Sequence, residues 1–113
     1  MIQRGKGRPI PVGDFNAYKD ADMTACLARI LWDYDPLTGI MKWNGSPHSG
    51  VEKGAQAGTI GYYGYRVVTF YGKKYKVSRL AFLIMTGSFP KRLAEHKNTD
   101  RADDRWENLR EAT

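Results

Sequence analysis

The chain has 113 residues, 42% of them apolar and 27% charged, which suits one soluble domain and argues against two. Eighteen Lys and Arg against twelve Asp and Glu leave a net charge of +6, and the pI near 9.6 biases the molecule toward polyanions such as nucleic acid or an acidic protein surface. The one cysteine, Cys26, excludes an internal disulfide and a thiolate zinc site, and with only His48 and His96 as imidazoles any metal must lean on oxygen ligands, as magnesium does.

Residues 1–20 carry Gly5, Gly7, Pro9, Pro11 and Gly13 among polar side chains and read as an extended basic arm. They hold no apolar stretch ahead of a cleavage site, so no secretory signal is expected and the cytoplasm is the default location. From Asp22 the spacing of Met23, Leu27, Ile30 and Leu31 predicts a helix capped by Asp20 or Asp22, with Cys26 packed on it. The tract DYDPLTG from Asp33 is turn chemistry, and Ile40 to Trp43 reads as a short strand. A Gly, Ser and Pro loop over 44–58 includes His48, which has no neighbouring ligand and reads as a surface imidazole.

Residues 58–77 read as an antiparallel meander, with strands at 65–70 and 75–77 and turns at 61–64 (GYYG) and 71–74 (YGKK). Residues 79–86 (RLAFLIMT) form an apolar core helix, stopped by Gly87 at the C-cap and by Pro90. The longest uncharged apolar run, Leu80 to Gly87, is far short of the roughly 20 residues that cross a bilayer, so no membrane partner is expected. The three tryptophans, Trp32, Trp43 and Trp106, are assigned to the core rather than to base stacking.

No acid occurs between Glu52 and Glu95, whereas Lys53, Arg66, Lys73, Lys74, Lys76, Arg79, Lys91 and Arg92 fall in that gap. Tyr62, Tyr63, Tyr65, Tyr71 and Tyr75 are interleaved with them. One-sign charge with aromatic rings fits a surface on which lysines neutralise phosphates while rings lie against sugars or bases. A solvated sheet face has the same composition.

The last stretch reads AEHKNTDRADDRWENLREAT from Ala94 to Thr113. It resembles the HNH endonucleases, in particular the phage and intron-type, homing-endonuclease-like members. Their usual string is close to a carboxylate, His, any residue, Asn, Gly, Asp, then an Asp-Asn-Arg-Trp turn and Asn-Leu-Arg. The matching residues are His96, Asn98, Asp100, Asp103, Arg105, Trp106, Asn108, Leu109 and Arg110. Upstream, DYDPLTGIMKW, the GYGYR and YGKKY hairpin and RLAFLIMTGSFP resemble the elements that precede this motif, so the likeness covers roughly residues 29–113. The fold so implied is α+β: an N-terminal helix, an antiparallel β meander, a central apolar helix, then the β-hairpin part of a ββα-metal motif. Residues 21–113 would form one HNH-like domain, with the basic sheet and helix over 58–90 and the hairpin over 91–113.

Hydrolysing a phosphodiester needs a base to deprotonate water and a divalent cation to stabilise charge on the phosphorus and the leaving oxygen. His96, beside a carboxylate, is the candidate base, and the resemblance implies that role for it. The resemblance implies Glu95 as first metal ligand, where the family usually carries Asp, and Asn108 as the amide that pins the loop after His96. The cofactor implied is Mg2+, or Mn2+, and the partner is double-stranded DNA. Arg66, Lys73, Lys74, Lys76 and Arg79 on the meander, with Arg101, Arg105 and Arg110 near the motif, are the candidate phosphate contacts. For the last three, pairing with Asp100, Asp103, Asp104 and Glu107 is an equal reading.

Two further departures stand out. Ser78 precedes Arg79-Leu80 where many relatives have His. In the family a helix follows Asn-Leu-Arg and supplies a last His or Asn ligand about nine residues beyond the position of Asn108, near residue 117, whereas the sequence runs to Thr113. Either a tail continues or the chain is HNH-derived and has lost a ligand. The alternative to a nuclease is therefore a catalytically silent HNH scaffold that binds DNA or blocks another nucleic-acid enzyme, as a phage-encoded inhibitor would. An RNA-binding domain is a third reading, supported only by the basic block and its tyrosines.

Overall fold

The computed structural model describes residues 15–47, 50–61 and 63–112, so His48, Tyr62 and the first fourteen residues of the expected arm lie outside the described residues. Phe15–Tyr18 form a single 3-10 turn, and Phe15 is 1% exposed against the core. An extended arm therefore does not describe residues 15–18. The driving force is burial of one phenyl ring, about 1.5–3 kcal/mol; the glycines and prolines around it outweighed that lone aromatic in the sequence pattern.

Helix α1 (Ala25–Leu31) starts later than expected. Thr24, not Asp20 or Asp22, caps it, with its hydroxyl accepting from the Leu27 amide at 3.1 Å. Leu27, Ala28 and Leu31 face inward as their spacing predicts, but Cys26 is exposed rather than packed. The chain then passes directly into strand β1 (Trp32–Tyr34), which pairs antiparallel with β2 (Met41–Trp43) in the register Trp32↔Trp43 and Tyr34↔Met41. Only β2 was expected. The sequence of β1 is too short for its own alternation to show beside the helical period that ends at Leu31 and the turn that starts at Asp33.

Strands β3 (Thr59–Ile60), β4 (Arg66–Phe70) and β5 (Lys73–Lys76) form the antiparallel meander, in the order β3-β4-β5. Tyr71 and Gly72, both left-handed at φ 47° and 81°, make the two-residue connection from β4 to β5. Lys73 and Lys74 are thus strand residues opposite Phe70 and Thr69, not turn residues. Val77, expected to end a strand, instead opens helix α2 (Val77–Thr86), which ends as expected on left-handed Gly87, whose amide reaches the Leu83 carbonyl at 3.0 Å. Strands β6 (Ala94–His96) and β7 (Leu109–Glu111) form the closing antiparallel hairpin.

Among the described residues the architecture is α+β, two α-helices with three small antiparallel sheets. The core lies where α1 and α2 meet the inward residues of both upstream sheets, with Leu31, Trp32, Met41, Val68, Val77 and Leu80 at 2% exposure or less. Trp32, Trp43 and Phe70 form one aromatic cluster with ring centroids 5.4–6.4 Å apart, placing two tryptophans in the core as expected. Trp106 is half-buried, edge-on to Phe82 at 4.9 Å. Among the described residues no helix is long and apolar enough to cross a membrane.

Candidate active site on the closing hairpin

The β6–β7 register places Glu95 opposite Arg110 and His96 opposite Leu109. Between the strands, residues 97–108 are folded by their own polar side chains. The Asn108 side chain accepts from the Asn98 amide at 3.0 Å and donates to the Asn98 side-chain oxygen at 3.0 Å and to the Asp103 carbonyl at 2.8 Å. The Asn98 amide group donates in turn to the Asp103 carboxylate at 2.7 Å. Asp103 receives two guanidinium N–H groups of Arg105, each at 2.8 Å. Hydrogen bonding to Arg105 is the largest influence on the Asp103 carboxyl, and with the Asn98 bond it holds that group far below the usual carboxylate range, outweighing the opposing effect of burial.

This ordered loop delivers Asp104 to His96. The His96 Nε2 lies 2.8 Å from an Asp104 carboxylate oxygen, and both side chains are only 3% exposed. The loop is also held from behind by the β1–β2 hairpin. Tyr34 donates its hydroxyl to the Asp104 carbonyl, and the Trp106 amide donates to the Pro36 carbonyl at 2.9 Å. Gly39, at φ +78°, approaches so closely that a Cβ there would sit 2.5 Å from the Arg105 nitrogen. Burial first, then the charges of Asp104, Asp35 and Asp103, push Tyr34 ionisation far above its normal range, so its hydroxyl stays a donor.

In front of His96 is an open cleft of about 380 Å3, lined by Glu95, His96, Tyr65, Lys97, Arg101 and Arg110 among others. The Tyr65 ring is 5.9 Å from the imidazole. Lys76 lies 3.9 Å and Arg101 5.0 Å from that ring's centroid, and Arg101 also donates to the Tyr63 carbonyl at 2.9 Å. Tyr65 also lines a groove over the meander, with Thr59, Tyr63, Val67, Lys74 and Lys76, so one aromatic residue joins the basic sheet face to the His96 cleft.

The eight cations singled out in the sequence therefore divide. Arg101 and Arg110 line the cleft, Lys76 lies over the Tyr65 ring and lines the neighbouring groove, and Lys73 and Lys74 stand exposed on β5. Arg66 donates to the Gly58 carbonyl at 3.0 Å, and Arg79 donates to the Arg92 carbonyl at 3.1 Å and lies over Phe89. Arg105 is spent on Asp103 and Glu107, the pairing that the sequence held equal to a phosphate role. Ser78 is 3% exposed in the first turn of α2 and does not line the cleft. Sequence reasoning passed over Asp104 as a residue of the site: a buried acid looks like any loop acid until the chain is folded.

Glu95 is the carboxylate that lines the cleft, its side chain 37% exposed and 3.8 Å from Arg110 across the strand pair. Among the described residues no three of His, Cys, Asp and Glu converge on a point. Glu95 is thus, among the described residues, the one carboxylate of the cleft lining, an oxygen donor of the kind that suits a hard divalent cation.

The family model for HNH endonuclease matches residues 75–113, a span that begins in β5 and takes in α2 and the whole closing hairpin. It supports the family assignment, points to a nuclease-type function on nucleic acid, and brings the expectation of a divalent metal general to such nucleases. No curated protein and no solved structure matches the chain.

Proposed function

We propose, taking residues 75–113 as an HNH endonuclease motif, that the chain hydrolyses phosphodiester bonds of double-stranded DNA in the cleft between the closing hairpin and Tyr65. The observation that carries this reading is the His96–Asp104 pair, 2.8 Å long and shielded from water, at a cleft lined by Lys97, Arg101 and Arg110. His96 takes a proton from water, the resulting hydroxide oxygen bonds to phosphorus, the bond from phosphorus to the leaving oxygen breaks, and that oxygen takes a proton from solvent water. Glu95 would hold a divalent cation, Mg2+ or Mn2+, which would supply neutralisation of the charge that develops at phosphorus and the leaving oxygen. Arg101 and Arg110 receive the flanking phosphates, and Asn108 keeps the loop after His96 in shape.

Incubation of supercoiled plasmid with micromolar folded protein and Mg2+ or Mn2+ tests this. Nicked or linear DNA, abolished by a chelator, is expected; intact plasmid with either metal would sink the proposal.

One observation favours a second reading. A cleft with one acid, itself facing Arg110, and no convergent set of three metal-ligating side chains among the described residues also fits an HNH-derived scaffold that binds DNA, or blocks another nucleic-acid enzyme, without cutting. Under that reading His96→Ala leaves DNA affinity and biological effect intact. Loss of the effect with binding preserved would eliminate it.

A further inference from the structure

We propose that Asp104 is the positioning residue of His96, fixing which imidazole nitrogen carries the hydrogen, and that the β1–β2 hairpin is the clamp that keeps Asp104 in place; this rests on the nuclease reading. A neutral imidazole has one donor and one acceptor nitrogen. An ionised carboxylate only accepts, so the 2.8 Å contact assigns the hydrogen to Nε2 and leaves the lone pair on Nδ1. With both side chains 3% exposed, water does not compete for that bond. A ring free to rotate or to exchange tautomers would present the lone pair only part of the time.

The clamp is independent of the pair. The Asp104 carbonyl accepts from Tyr34 of β1, the next peptide packs on Gly39, and the Trp106 amide is fixed by Pro36. On the other side, Asn108 donates to the Asp103 carbonyl at 2.8 Å. Asp104 is thus held through its backbone on both flanks while its side chain is committed to His96. None of Tyr34, Pro36 and Gly39 lines the cleft.

Asp104→Ala and Asp104→Asn, each checked for folding by circular dichroism, are compared with the wild type in steady-state plasmid cleavage. Long-range 15N NMR reads the tautomer of His96, with His48→Gln used to assign the signals. The wild type should show His96 as the Nε2–H form. Asp104→Ala should lose that preference and lower kcat roughly a hundredfold or more, with KM within about twofold. Asp104→Asn can accept from Nε2–H through its carbonyl oxygen or donate to a bare Nε2 through its NH2, so its kcat should follow the fraction of His96 in the Nε2–H form read by NMR. A folded Ala variant with unchanged kcat, an Asn variant with full kcat but an Nδ1–H imidazole, or a wild-type Nδ1–H tautomer would each overturn the proposal. Wild-type protein that shows the Nε2–H form yet cleaves no DNA contradicts the nuclease reading and supports the pair.

Discussion

Asp103 and Asn108 show how much of the site depends on single side chains folding a loop that has no regular structure. Asp103 bonds to Arg105 and Asn98 only as a carboxylate, and its ionisation lies far below the ordinary value of 3.8. A depressed folded value means that the stabilisation is present above about pH 4 and is lost as the pH falls further toward the folded value. The thermal midpoint should therefore drop as the pH is lowered below about 4, and Asp103→Asn should flatten that slope; equal slopes in a pH series of melts would count against the assignment. Asn108→Ala removes three hydrogen bonds made by a buried side-chain amide, taking the acceptor from the Asn98 backbone N–H and the donor from the Asp103 carbonyl. It should cost about 2 kcal/mol or more in chemical denaturation. At this scale His96 and Asn108 stand out in the sequence because their string is distinctive. Asp104 was not, because its partner sits eight positions away and nothing in the local sequence marks that acid as buried.

The β1–β2 hairpin is the element whose role the sequence concealed. Read as a turn followed by a lone strand, it is a two-stranded unit that supports the loop after His96 through Tyr34 of β1 and Pro36 and Gly39 of its turn. Gly39→Ala places a methyl group against the Arg105 backbone at a left-handed position, where the backbone cost alone is about 1–2 kcal/mol before the clash is added. It should lower both the unfolding free energy and the cleavage rate, although Gly39 does not line the cleft; full activity in a folded Gly39→Ala protein would show that the hairpin does not support the site. Elements with strong local signals were read more accurately. Helix α2 has an apolar run and a glycine stop, and the β4–β5 connection has a glycine where φ must be positive. Strand β1 has three residues and no punctuation of its own, so only its pairing with β2 defines it.

At the scale of the whole molecule, the +6 charge divides into cations that face solvent or the cleft and cations committed to the fold. Lys73 and Lys74 are exposed on β5, whereas Arg79 ties α2 to the segment before β6 through the Arg92 carbonyl. If the meander meets DNA, Lys73→Ala and Lys74→Ala should each reduce the slope of log affinity against log salt by about 0.9. Arg79→Ala should leave that slope alone and lower stability instead. Binding titrations at several salt concentrations separate the two classes, a division that charge counting along the sequence could not supply because a cation bonded to a carbonyl and a free one are written with the same letter.

His96, held by Asp104 at the cleft, is the proposed base for hydrolysis. Cleavage of duplex DNA under single-turnover conditions by wild type and by His96→Ala, with DNA affinity measured on the same samples, tests it most directly. The account predicts loss of cleavage by at least about a hundredfold with affinity unchanged within a few-fold. Equal cleavage by the two proteins would contradict it.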